Sequence, residues 1–267
     1  MAIGGAIDHE NPALLLEFVR RAGAEAARVV ILPQASEQEG TGGHYAELFR
    51  KLGAGEARIL DFRSREDASN PVHSRMLGEA TGIFITGGAQ MRLAALFGGT
   101  ALEDELLAAY ARGCLIGGTS AGASILSTTM IAYGHGGPTP RERIVQFSPG
   151  LGFTRRFIFD QHFRQRDRLG RLIYAVATHP GVVGLGIDEN TAAVIEEDER
   201  VSVYGSGAVT VVDGRQVSET DVAEVGTRSA VAIAGLTVHI LTQGGTFHRQ
   251  AGLATLAEKT PGASPAG

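Results

Sequence analysis

From the N-terminus to about residue 190 the chain alternates short β-branched or glycine-bounded runs with helical patterns, and this alternation restricts the fold more than any other feature. A strand, a helix and a further parallel strand must cross over one face of a sheet. The expectation is therefore an α/β fold, a mostly parallel sheet flanked by helices. "ARVVILPQAS" (27–36) reads as a strand ending in a turn, and "HYAELFRKLG" (44–53) as a helix stopped by Gly53. "ARILDF" (57–62), "TGIFITGG" (81–88) and "GCLIGG" (113–118) give three more strands. "ALEDELLAAYARG" (101–113) is a helix with Glu103 and Asp104 early and Arg112 late, a distribution that suits the helix dipole. After "GGTS" the run "AGASILSTTMIA" (121–132) reads as a helix, which puts Ser120 on a strand-to-helix junction.

From about Val201 the texture changes. "VSVYGSGAVTVVDGRQV" (201–217), an apolar stretch near 230–241 and "GGTFH" (244–248) read as antiparallel edge strands added to the same sheet near the C-terminus. "AVAIAGLTVHIL" (230–241) is too short to span a bilayer and contains His239, so it is read as a core strand. No linker divides the chain, and the expected organisation is one α/β domain over 1–255 with a flexible tail over 256–267. A chain of 267 residues with 43% hydrophobic and 20% charged residues buries enough surface to fold as one globular unit. The N-terminal "MAIGGAIDHE" turns polar within eight residues, which argues against a secretory leader and for a cytoplasmic protein. A net charge of −5 speaks against nucleic acid as a partner, and no membrane segment is expected. The single cysteine, Cys114, cannot form an internal disulfide and reads as a buried strand residue.

Gly118-Thr119-Ser120-Ala121-Gly122 satisfies G-x-S-x-G, in which a serine sits on a tight strand-to-helix turn and the next backbone N–H can face an oxyanion. Glycine turns at helix starts also bind phosphate, but here no lysine follows and G-x-G-x-x-G is absent. The spacing alone leaves Ser120 open between a nucleophile and a small-residue turn. A serine nucleophile needs a base. His9 and His44 lie near helix starts, His135 in a glycine loop, His179 before Pro180 and His248 near the end; His162 stands out, flanked by Asp160 and Gln161 just before an arginine-rich helix. Arg164, Arg166, Arg168 and Arg171 read equally as a solvated helix face or as a site for an acidic substrate. "FITGGAQMRL" (84–93) ends a strand at the same edge of the sheet, making the Gly88 N–H a candidate oxyanion donor and Gln90 a candidate substrate contact. No His, Cys and carboxylate set has metal-ligand spacing, and no cofactor is expected.

In order along the chain, "FITGGAQMRL", "GGTSAGAS…MI", "SPGLGF", "DQHFRQRDRLGRL" and "GLGIDENTA" resemble the serine peptidase family of cyanophycinase and peptidase E, family S51. The resemblance covers roughly residues 27 to 240 and rests most on "DQHF-x-QR-x-RLGRL" and "GIDE-x-TA". It implies a flavodoxin-like or class I glutamine-amidotransferase-like sheet, with Ser120 as nucleophile, His162 as general base and the N–H groups of Gly88 and Ala121 holding the oxyanion. It also implies cyanophycin as substrate, a poly-aspartate backbone with arginine on each side chain, released as β-aspartyl-arginine. An aspartyl or isoaspartyl dipeptidase, or a binding homologue without catalysis, is the alternative. Gln90, Asp160, Gln161, Arg166, Arg168 and Arg171 fall on family positions that line the groove, and the family suggests a homodimer. The acid that orients the histidine lies in the family between serine and histidine. In this chain that loop reads "AYGHGGPTPRERIVQF", where Glu142 is the only carboxylate. Glu142 is the expected third residue, with Asp160 and Asp188 as alternatives. "AIDHE" after the N-terminal glycines and Ala89 before Gln90 depart from the family pattern and bear on substrate preference.

Overall fold

A computed structural model describes residues 1–258; of the tail expected over 256–267, residues 259–267 lie outside the described residues. The first half alternates as its sequence pattern requires: β1 (Ala2–Ile3), α1 (Ala13–Arg21), β2 (Arg28–Leu32), α2 (Thr41–Lys51), β3 (Glu56–Ile59), α3 (Pro71–Glu79), β4 (Gly82–Ile85), α4 (Gln90–Phe97), α5 (Ala101–Ala111) and β5 (Leu115–Thr119). The five strands run parallel in the order β1-β5-β4-β2-β3. Strand residues alternate between the two faces, as the pleat demands. Val29, Ile31 and Phe84 pack with α1 and α2, while Val30, Leu32, Ile83 and Ile85 pack with Leu93 of α4 and with Leu102 and Leu106 of α5. On the first face Phe84 lies edge-on to Phe18 and Phe49, with centroids 5.4 and 5.1 Å away. Cys114, just before β5, is buried, and burial pushes its thiol up to about 12.

The second half contains α6 (Ala121–Ser124), β6 (Thr129–Gly134), β7 (Val145–Pro149), β8 (Phe157–Gln161), α7 (Leu169–Thr178), β9 (Val183–Ile187), β10 (Thr191–Ile195), β11 (Arg200–Gly205), β12 (Val209–Asp213), β13 (Glu219–Thr220), β14 (Ile233–Ala234), β15 (Thr237–Leu241), β16 (Thr246–His248) and β17 (Leu253–Thr255). The run 121–132 is not one helix. Only α6 is helical, because the β-branched Thr129 and Ile131 pair antiparallel with β7.

The antiparallel strands expected late in the chain are present but divide among three sheets, β13 and β14 pairing only with each other. β10, β11, β16 and β17 extend the first sheet from β1 to nine strands, whereas β12 and β15 join β9 and β8 in a second sheet of four. The short segment Ser206-Gly207-Ala208 carries the chain from one sheet to the other. β15, read from sequence as a core strand, is an edge strand with Val238 and Ile240 44% and 65% exposed and Leu241 buried. Both sheets feed one apolar cluster, in which Val30, Ile85 and Leu106 join Phe157, Leu185 and Val209. Among the described residues no helix is long and apolar enough to cross a membrane.

Candidate active site

Ser120 follows β5 and opens α6 with φ 52° and ψ −113°. Positive φ is strained for a residue with a side chain, so the surroundings must enforce it. The Ser120 N–H donates to Ile3 O at 3.0 Å, and its carbonyl accepts from Ala123 N and Ser124 N. The flanking glycines are a steric requirement: a Cβ on Gly118 would lie 2.2 Å from Gly122 O, and one on Gly122 would lie 2.1 Å from Ile85 O. The result lifts the Ser120 hydroxyl above the carboxyl ends of the parallel strands.

The second sheet brings the candidate base. His162 directly follows β8, whose parallel register sets Gln161 opposite Ile187 of β9. The next residues on each strand, His162 and the Asp188-Glu189 turn, therefore emerge side by side. The His162 N–H donates to Gly4 O at 2.7 Å, joining the second sheet to the end of β1. His162 Nε2 lies 2.9 Å from Ser120 Oγ, and His162 Nδ1 lies 2.6 Å from Glu189 Oε1. Gly5 makes room for the ring: it has φ 102°, and a Cβ there would lie 2.3 Å from His162 Cε1. Burial lowers the pKa of His162 below its ordinary 6.5, with Arg166 and Arg168 adding to the effect and Glu189 opposing it. The imidazole is thus neutral near pH 7 and free to accept a proton from Ser120.

The hydrogen-bonding acid is Glu189, which corrects the expectation of Glu142. Glu142 belongs to a different contact: its side chain meets Arg143 Nε at 2.9 Å and accepts from the Arg228 N–H at 3.3 Å, and its own N–H donates to Ser229 O. Neither alternative acid reaches His162. Asp188 is buried and accepts from Arg164 N at 3.0 Å and Ala208 N at 3.1 Å, so it ties the segment between the two sheets to the turn after His162. Asp160 is buried and bonded to Arg171 through both oxygens, with Arg168 Nη1 at 3.3 Å. Glu189 lies inside "GLGIDENTA", and the available signal was its place in the turn after a strand parallel to the one that carries His162. Its backbone N–H donates to Gln165 Oε1 at 3.1 Å.

The four arginines do not form one exposed cluster. Arg168 and Arg171 are buried, the first bonded to Gln161 through its carbonyl and side-chain oxygens, whereas Arg164 and Arg166 are exposed. Gln90, at the start of α4, donates to Ala132 O at 2.8 Å and Ile131 O at 3.3 Å, which anchors β6. The N–H groups of Gly88 and Ala121 make no backbone hydrogen bond among the described residues, and Ala121 is the first residue of α6, where helix amides lack intrahelical partners. Gly87 adjoins Ser120, its Cβ position lying 3.9 Å from the hydroxyl. An open cleft of about 690 Å³ contains Ser120 and His162 and runs on past Gly5 and Gly87 to His9, Glu39 and His44. His9 and His44, unremarkable in sequence, are in contact there, with His44 Nε2 3.0 Å from His9 Nδ1.

The sequence model of peptidase family S51 matches residues 1–203. A cyanophycinase of Nostoc sp. is 40% identical over 251 residues, covering 93% of this chain and 84% of that protein. A cyanophycinase of Geminocystis herdmanii is 37% identical over 253 residues, covering 94% and 93%. One of Synechococcus elongatus is 41% identical over 251 residues, covering 93% and 78%. The crystal structure of a peptidase from an acI-B1 Actinobacterium has the same fold, with a TM-score of 0.62 at 23% identity over 92% of this chain and 95% of that one. A putative peptidase E protein from Listeria monocytogenes superposes with a TM-score of 0.51 at 18% identity over 77% of this chain and 97% of that one.

Proposed function

This chain belongs to peptidase family S51, and we propose that it is a serine exopeptidase that hydrolyses cyanophycin to β-aspartyl-arginine dipeptides. The observation that carries this reading is the continuous row Ser120–His162–Glu189, with contacts of 2.9 and 2.6 Å, in which Ser120 and His162 line an open cleft. In this mechanism His162 Nε2 takes the proton of Ser120 as Oγ attacks a backbone carbonyl of the substrate. Glu189 holds Nδ1–H, fixing the tautomer with Nε2 facing the serine and stabilising the imidazolium as it forms. The N–H groups of Gly88 and Ala121 receive the oxyanion. The imidazolium then gives its proton to the leaving amine, and water admitted to the cleft releases the acyl group by the reverse sequence.

The groove positions divide by burial. Arg166, exposed, offers its charge to a carboxylate of the polymer, and half-buried Gln90 offers its amide oxygen, whereas Gln161 is buried with its side-chain oxygen bonded to Arg168. Arg168, Arg171 and Asp160 act from behind, holding the end of β8 that positions His162. From the family resemblance the chain to about residue 255 is taken as one catalytic domain, acting as a cytoplasmic homodimer, with the assembly checked by sedimentation. The decisive experiment incubates purified protein with insoluble cyanophycin and follows dipeptide release by mass spectrometry. Release by the native protein, lost by a factor of about 10⁴ or more in folded Ser120→Ala, is the expected result. Full activity in that variant contradicts the mechanism. Cleavage of short isoaspartyl peptides with the polymer untouched would instead favour the dipeptidase reading.

A further inference from the structure

Beyond Ser120 and His162 the cleft ends in a wall built from residues 6–9 and 36–45. Much of its polarity is spent within the loop: Ser36 Oγ and Thr41 Oγ1 are 2.9 Å apart, Thr41 Oγ1 donates to Gln38 O, and Gln38 N–H donates to Ser36 Oγ. Burial pushes the Tyr45 phenol up to about 12, so it stays neutral. The side chains of the wall that carry or can take a charge are His9, His44 and Glu39.

His9 and His44 meet nitrogen to nitrogen at 3.0 Å, and each ring stands edge-on to Tyr45, with centroids 5.9 and 5.8 Å away. Two imidazoles joined in this way hold one proton between them and turn another N–H outward; burial, with the charge of His44 adding to it, lowers the pKa of His9. Neighbouring Asp8 accepts at Oδ1 from the N–H groups of Glu10 and Asn11, and its charge partly opposes the lowering of the His9 pKa. Glu39 differs from nearby Glu37, which is paired with Arg92; among the described residues Glu39 has no ion pair. The wall therefore carries both a donor pair and a carboxylate within the cleft that holds the nucleophile.

We propose that this wall is a subsite for a zwitterionic substrate end, in which the His9–His44 pair binds a carboxylate and Glu39 binds a guanidinium. The assignment rests on the peptidase reading above, and it matches β-aspartyl-arginine, which carries both groups. It also gives a role to His9, part of the "AIDHE" stretch where the chain departs from its family's pattern.

The test uses the full chain with Ser120→Ala, which separates binding from turnover. Isothermal titration measures three ligands: β-aspartyl-arginine, the same dipeptide amidated at the arginine carboxyl, and the citrulline form, which lacks the guanidinium charge. The parent is expected to bind the dipeptide about tenfold more tightly than either analogue, the scale of one charge-assisted hydrogen bond in a partly open site. Adding His44→Gln is expected to erase the preference over the amide and keep that over citrulline. Adding Glu39→Gln is expected to do the reverse, and His9→Gln to repeat His44→Gln. Equal binding of all three ligands by the parent, no binding, or preferences that survive these variants would overturn the subsite. Cyanophycin cleavage by the native protein is measured separately. Failure there with the binding pattern intact rejects the peptidase reading alone, and cleavage without the pattern rejects the subsite alone.

Discussion

Asp160 and Glu189 both serve the strand end that carries His162, yet the fold treats them in opposite ways. The Asp160 side chain is 1% exposed, with both oxygens taken by Arg171 and a third contact to Arg168. The Glu189 side chain is 35% exposed and bonds one imidazole nitrogen at 2.6 Å. A carboxylate buried that deeply is tolerable only when its charge is matched by fixed cations. Such a group cannot also answer to a ring that gains and loses a proton in every turnover. The half-exposed acid can, because water shares the cost of its charge and no other part of the fold depends on it. Burial thus separates the carboxylate that builds the site from the one proposed to work in it.

Variants should divide along the same line, failing by chemistry on one side and by folding on the other. The largest effect is expected for Ser120→Ala, a loss of about 10⁴-fold or more in turnover with the melting temperature unchanged. Next comes Asp160→Ala, which strands two buried arginines. It should cost about 3–5 kcal/mol of stability, read by denaturant unfolding, with activity lost in step with folded protein. Gly5→Ala tests the seat of the ring: the new methyl displaces His162, and kcat is expected to fall about 100-fold, a typical result of a 1 Å misplacement.

A smaller and more diagnostic effect concerns pH. In the proposed mechanism His162 acts as a base in its neutral form, and its pKa lies below 6.5, so kcat/KM should rise with pH along an acidic limb centred below that value. Arg166 is one of the charges that lower this pKa, so Arg166→Gln should move the limb toward higher pH. A limb that stays put would remove Arg166 from the electrostatics of the site. The smallest effect is expected for Glu142→Gln, within about twofold of the native rate, since its contacts are to Arg143 and Arg228.

The parallel half of the fold was legible because each strand and helix there announces its own period; Ser120 stayed open on its glycine spacing and became the candidate nucleophile through the order of the motifs that resemble the family. His162 could be picked out by its polar neighbours. Its partner could not, since Asp188 and Glu189 are adjacent acids that differ only in which way the turn after β9 presents them. That direction depends on the pairing of β8 with β9 and on the capture of Asp188 by Arg164 and Ala208, both set by long-range contacts. The arginine run misled for a related reason: its charges look alike in sequence, but helix α7 turns Arg171 inward while Arg164 and Arg166 face water. The late strands carry the same period in either sheet, and only tertiary packing assigns them.

The most direct measurement compares kcat on cyanophycin for Glu189→Gln and Glu142→Gln, with the melting temperature of each recorded. Loss of the acid that fixes the histidine tautomer should cost Glu189→Gln about 10²- to 10⁴-fold at an unchanged melting temperature, while Glu142→Gln stays near the native rate. A native rate in Glu189→Gln, or the larger loss in Glu142→Gln, would contradict the Ser120–His162–Glu189 row.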